Sequence, residues 1–124
     1  SVDETLVAAK LVKELGLRLK VYLVAGLPGE TEQTIKLNEE WMQGVRPDRW
    51  TLARFTPYPG CAVWSNPRKY GVQLNGLSIG STSFAEYWNF YDIPSYCLDS
   101  ASKDTLNQRY KELLSWLQSN LAKS

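Results

Sequence analysis

There is no histidine anywhere in these 124 residues, and cysteine occurs only at Cys61 and Cys97. Without histidine, neither a Ser-His-Asp nor a Cys-His nucleophile system can be assembled, and most zinc sites lose a ligand type. Two thiols so far apart match no metal-ligand spacing. A disulfide between them would call for an oxidising compartment, to which nothing else in the sequence points. Cys61 therefore reads as a small buried residue rather than a reactive thiol. Long apolar runs are missing too: none approaches the roughly 18 residues of a membrane span. The opening SVDETLVAAK lacks the charged and apolar regions of a secretion signal. The expectation is a cytoplasmic protein with no membrane partner. An excess of one charge is also absent, since 14 basic and 13 acidic residues nearly cancel. No overall field then favours nucleic acid, and Arg46, Arg49 and Arg54 are interleaved with Asp48 and apolar residues. The sequence starts without methionine, directly in a helical pattern, and reads as a piece cut from a longer protein.

What is present is globular: 44% hydrophobic and 22% charged residues, at a length sufficient for one core. Asp3 is placed to cap a first helix with Ala8, Leu11, Val12 and Leu15 on one face, stopped at Gly16. RLKVYLVA then alternates, with Leu19, Val21, Leu23 and Ala25 facing one way and Tyr22 and Val24 the other. Both faces are apolar toward its end, the pattern of a strand covered on both sides. Thr31 is a good cap for a second helix that buries Ile35, Trp41, Met42 and Val45 and leaves Asn38 and Glu39 wet. RWTLARFT forms the next strand, with Thr51, Ala53 and Phe55 on one face and Trp50, Leu52 and Arg54 on the other. Helix-length connections predict parallel strands and a right-handed crossover. From residue 63 the pattern breaks into a loop-rich stretch carrying Trp64, Tyr70, Phe84, Tyr87, Trp88, Phe90 and Tyr91. The aromatic group at 87–91 reads as satellite core rather than as the wall of a pocket. A last helix from about Lys103 to Ala122 buries Leu106, Tyr110, Leu113, Leu117 and Leu121.

The stretch VYLVAGLPGET is the most informative. An apolar strand stops on Gly26, crosses Pro28 and Gly29, and places Glu30 at the mouth of a helix. Glycines at 26 and 29 let backbone approach a ligand closely, and Pro28 fixes the turn between them. TPYPG follows the next strand in the same manner. Ligands on parallel sheets bind at such carboxyl ends. Three readings are open on the residues alone. A phosphate cradle would use free N–H groups at the helix start, although Glu30 would repel the anion. A neutral or cationic ligand could donate hydrogen bonds to Glu30. A rigid strand-to-helix connection, with Glu30 as a helix-start carboxylate, needs no ligand.

VYLVAGLPGETEQT followed by FTPYPG resembles the second half of the radical S-adenosylmethionine enzyme core. It is most similar to the group that reads G-[LF]-P-G-E-T-x-E and then P-Y-P-G-T, many members of which carry a cobalamin-binding or other accessory domain. The likeness covers roughly residues 1–70. It implies the last two strands of a (β/α)6 barrel in residues 1–62, with an irregular extension and a terminal helix in 63–124. It also implies that Gly26, Leu27, Pro28, Gly29 and Glu30 lie beside the adenosine of S-adenosylmethionine, with Thr56 and Tyr58 at the same mouth. Arg54, on the strand rim, either meets a substrate carboxylate or pairs with a neighbouring acid.

The departures are equally informative. The family's cluster-binding C-x3-C-x2-C has no match, and Cys61 stands where Thr is usual after P-Y-P-G. The [4Fe-4S] cluster and S-adenosylmethionine would then belong to a parent enzyme, neither being expected on this chain alone. The chain would be the inactive C-terminal part, with the missing N-terminal half as its partner and an exposed strand edge open to self-association. The alternative is a small stand-alone α/β binding or interaction module.

Overall fold

The computed structural model describes residues 1–58, 60–74 and 96–121. The elements run α1 (Val2–Glu14), β1 (Lys20–Ala25), α2 (Glu32–Val45), β2 (Arg49–Arg54), α3 (Ala62–Ser65), a 3-10 turn (Pro67–Tyr70), β3 (Val72–Gln73), β4 (Cys97–Leu98) and α4 (Lys103–Asn120). The chain divides into two compact units. One holds Ser1–Val24, Thr31–Ala53 and Lys111–Ser124, and the other holds Ala25–Glu30 and Arg54–Tyr110.

In the first unit α1 is capped by Ser1, whose side chain accepts the Glu4 N–H, two residues earlier than the expected Asp3. Its buried residue is Ala9, flanked by half-buried Leu6 and Val12, while Leu11 and Leu15 remain exposed. Thr31 caps α2 as expected, and Thr34 returns the bond in a capping box. Ile35, Met42 and Val45 are buried along α2, Trp41 is half-buried, and so are Asn38 and Glu39. Arg46 ends the helix in the left-handed region, at φ 48°. Trp50 and Leu52 of β2 are buried, as are Leu113 and Leu117 of α4.

Strands β1 and β2 form a two-stranded sheet. The Arg49 N–H bonds the Leu19 carbonyl at 3.1 Å and the Phe55 N–H bonds the Ala25 carbonyl at 2.7 Å. Both strands advance together between these bonds, so the pair is parallel. The core of the second unit is Val72, Tyr96, Leu98, Ala101 and Leu106, with Phe55, Val63, Tyr70 and Leu74 packed on it. There β3 and β4 pair antiparallel, Val72 opposite Leu98 and Gln73 opposite Cys97.

The expected partial barrel is not formed. The protein is a small α/β fold whose described strands make one parallel pair and one short antiparallel pair. After β2 the chain enters α3 and the 3-10 turn rather than a further parallel crossover. The other face of β1 is also uncovered, with Tyr22 70% and Val24 41% exposed. A barrel strand buries both faces and has a neighbour on each edge. The apolar Tyr22 and Val24 suggested a second covering layer that the described residues do not supply. The aromatic group at 87–91 lies outside the described residues. No helix among the described residues is long and apolar enough to cross a membrane.

Candidate functional site

The candidate site lies within the second unit, where Ala25–Glu30 and Arg54–Tyr58 begin at the same end of the parallel pair. Leu27, Pro28, Gly29 and Glu30 form a β-turn closed by the Glu30 N–H on the Leu27 carbonyl at 3.0 Å. Proline at the second position and glycine at the third, with φ +87° at Gly29, give it the signature of a type II turn. The second motif also has a bond across its glycine. The Cys61 N–H bonds the Tyr58 carbonyl at 3.1 Å, and Gly60 has φ +92°. A helix cap follows each turn, Thr31 for α2 and Cys61 for α3, whose Sγ accepts the Trp64 N–H at 3.4 Å. Cys61 thus serves as the cap of α3, and the two cysteines are not joined in a disulfide.

Glu30 is buried and turns back on its own loop. Its Oε2 accepts the Gly26 N–H at 2.5 Å. Its Oε1 lies 4.0 Å from Arg109 Nη1, which also donates to the Glu30 backbone carbonyl at 3.2 Å. Among the described residues Oε1 has no hydrogen-bond partner, and neither has Arg109 Nε. Burial therefore dominates and pushes the Glu30 carboxyl up from 4.5, opposed by the Gly26 N–H and then by the Arg109 charge.

Tyr96 holds the other side of Gly26. Its hydroxyl donates to the Gly26 carbonyl at 2.5 Å, and its ring meets Phe55 edge-on at 5.6 Å. Burial, and secondarily the Glu30 charge, push the phenol well above its ordinary value, while Arg54 opposes the shift. Tyr96 is a protonated donor throughout the working range. A Cβ on Gly26 would lie 2.3 Å from the Tyr96 hydroxyl, and the glycine already has φ +85°. This glycine is required by close approach as well as by backbone angle.

The outward surface of the site is plain. Leu27 is 44% and Tyr58 43% exposed, and Gly29 and Gly60 are open, a Cβ on either meeting nothing within 4 Å. Thr56 is half-buried, its hydroxyl donating to the Arg54 carbonyl at 3.4 Å. Arg54 donates to Asn107 Oδ1 at 2.8 Å and lies 3.8 Å over the Tyr110 ring. The seven residues expected at the ligand thus separate into three groups. Leu27, Gly29 and Tyr58 face outward, Gly26 and Glu30 brace the turn from within, and Pro28 and Thr56 lie half-buried between them. Tyr96 and Arg109 had no local signal in the sequence, because each reaches the turn from far along the chain.

The turn thus carries a buried carboxylate on its inside and the exposed Leu27 side chain on its outside. Among the described residues no three of His, Cys, Asp or Glu are placed to hold a metal. A separate apolar cleft of about 550 Å³ lies in the first unit, lined by Leu6, Val21, Leu23, Leu37 and Trp41 among others.

No family model matches the chain, and no solved structure matches it. A curated relative, the uncharacterized protein MJ1620 of Methanocaldococcus jannaschii, is 37% identical over 77 residues, covering 58% of this chain. The match spans only 15% of that relative's length.

Proposed function

We propose that this chain is the cofactor-side scaffold, and part of the substrate wall, of a longer cytoplasmic radical S-adenosylmethionine enzyme. Its partner is then the half of that enzyme that binds the cluster. One observation above all supports the reading: the 2.7 Å bond between Phe55 and Ala25 brings the segments that start at Gly26 and Thr56 to one end of a parallel pair. That end is where ligands meet parallel strands. It is also where the resembling motifs place adenosine. Leu27, Gly29 and Tyr58 would lie against the adenosine. Glu30 and Gly26 act from behind, fixing the backbone those residues extend from. When bound, S-adenosylmethionine and its cluster supply a 5′-deoxyadenosyl radical that takes hydrogen from substrate. The chain's own part is to position and to exclude water.

The cluster needs three thiolates held together, and this sequence has two cysteines. The test is to express the product of the complete reading frame, reconstitute it anaerobically with iron and sulfide, and assay 5′-deoxyadenosine after adding dithionite and S-adenosylmethionine. The complete product is expected to form it, with a C-x3-C-x2-C upstream of residue 1, and the 124-residue chain alone is not. A start codon just before Ser1, or product from the chain alone, would overturn the reading in favour of a stand-alone module or an unrelated chemistry.

A further inference from the structure

We propose that Tyr96 and Arg109 are positioning residues that set the outward surface of the Gly26–Glu30 turn, and that an adenosine-bearing ligand rests on this surface. The ligand half of the proposal rests on the function proposed above, whereas the positioning half rests on geometry alone.

The two side chains act on backbone at opposite ends of the same short loop. The Tyr96 hydroxyl donates to the carbonyl of Gly26, and Arg109 Nη1 donates to the carbonyl of Glu30. Between those two points only Leu27, Pro28 and Gly29 remain, and Leu27 and Gly29 are exposed. The Glu30 carboxylate closes the loop internally on the Gly26 N–H. Gly26 is thus bonded through both its N–H and its C=O, and its backbone orientation is fixed in the absence of any ligand. Pre-organisation of this kind lowers the ordering cost of binding.

Simple packing does not account for the arrangement. Arg109 and Glu30 are both largely buried, yet their nearest charged atoms stay 4.0 Å apart. Glu30 Oε1 and Arg109 Nε are left without partners among the described residues. A pair selected for stability alone would close to a charge-assisted bond of about 2.8 Å. The arginine instead spends its short contact on the backbone carbonyl at 3.2 Å. Tyr96 likewise could fill the core as phenylalanine, since its ring already packs edge-on against Phe55. Its hydroxyl has a separate task on Gly26.

The test uses Tyr96→Phe, which keeps the ring and its core contact, and Arg109→Lys, which keeps the charge but loses the guanidinium fork. Amide resonances are followed in the 15N-labelled chain. In wild type the Gly26 proton, bonded to a carboxylate, is expected far downfield. In Tyr96→Phe it should move upfield, and its solvent exchange should quicken about tenfold, the effect of losing one buried hydrogen bond. Met42 and Leu52 should keep their wild-type exchange rates. Arg109→Lys should quicken exchange at Glu30 in the same way. Unchanged turn amides in both variants would overturn the positioning role, as would uniform quickening across Met42 and Leu52. The ligand half is read in the reconstituted product of the complete reading frame. Tyr96→Phe should raise the KM for S-adenosylmethionine severalfold with kcat within about twofold, and an unchanged KM would overturn it. If the amides respond but the complete wild-type product forms no 5′-deoxyadenosine, the positioning role stands and the proposed function falls.

Discussion

Glu30 is bonded to Gly26, four residues before it in the same turn, through a 2.5 Å contact from the Gly26 N–H to Oε2. One oxygen of the carboxylate that a sequence reading would offer to a ligand is therefore occupied with its own backbone. The turn has a buried, negatively charged interior and an apolar exterior at Leu27.

Gly26 and Gly29 both have positive φ, but they should respond differently to alanine. Gly29→Ala meets open space and should cost only the backbone strain, about 1 to 2 kcal/mol. Gly26→Ala adds a collision with the Tyr96 hydroxyl at 2.3 Å and should cost about 3 kcal/mol or more. Removing that hydroxyl makes room. Gly26→Ala combined with Tyr96→Phe should therefore cost less than the sum of the single changes by about 1 kcal/mol. Urea unfolding of the four variants checks this, and strict additivity would contradict the contact.

Burial raises the Glu30 carboxyl above 4.5 in the folded chain. Between 4.5 and that raised value the folded state holds a proton that the unfolded chain has released. The contribution to stability is then complete below 4.5 and is lost as pH rises through the raised value. Glu30→Gln cannot titrate and keeps an oxygen acceptor for the Gly26 N–H. Its stability relative to wild type should increase with pH from 4.5 upward. Denaturant midpoints across that range measure the difference, and a gap independent of pH would exclude a raised folded-state value.

Cys61 caps α3 through sulfur, a weak acceptor, with the Trp64 N–H at 3.4 Å. Cys61→Thr places a hydroxyl there and should stabilise by about 0.5 kcal/mol, while Cys61→Ala should destabilise by a similar amount. Thermal melts of the two variants decide the matter. A threonine variant less stable than the alanine variant would refute the capping role.

Arg54 is engaged by Asn107 and by the Tyr110 face. Arg54→Lys keeps the charge but loses the planar stack and most of the hydrogen-bond geometry, and should cost about 1 to 2 kcal/mol. In the Asn107→Ala background the same change should cost less, because the shared bond is already gone. Equal costs in both backgrounds would show that the two side chains act independently.

The sequence by itself determined whatever acts over a few residues. Leu27-Pro28-Gly29-Glu30 had to turn as it does, because proline fixes one φ and only glycine readily accepts the positive φ that follows. Thr31 had to start a helix, and two apolar runs joined by that helix had to pair in parallel. Only the tertiary structure decided the rest. The bond that holds the Glu30 backbone carbonyl comes from Arg109, and the need for glycine at 26 depends on Tyr96, residues 79 and 70 positions away from the groups they bond. The barrel expectation failed at the same level. Apolar residues on both faces of β1 showed that it tolerates burial, but whether a second layer covers Tyr22 and Val24 depends on where the rest of the chain goes. Alternation along a strand records which face each residue takes. It does not record what, if anything, lies opposite that face, because that partner is set by chain closure over long separations.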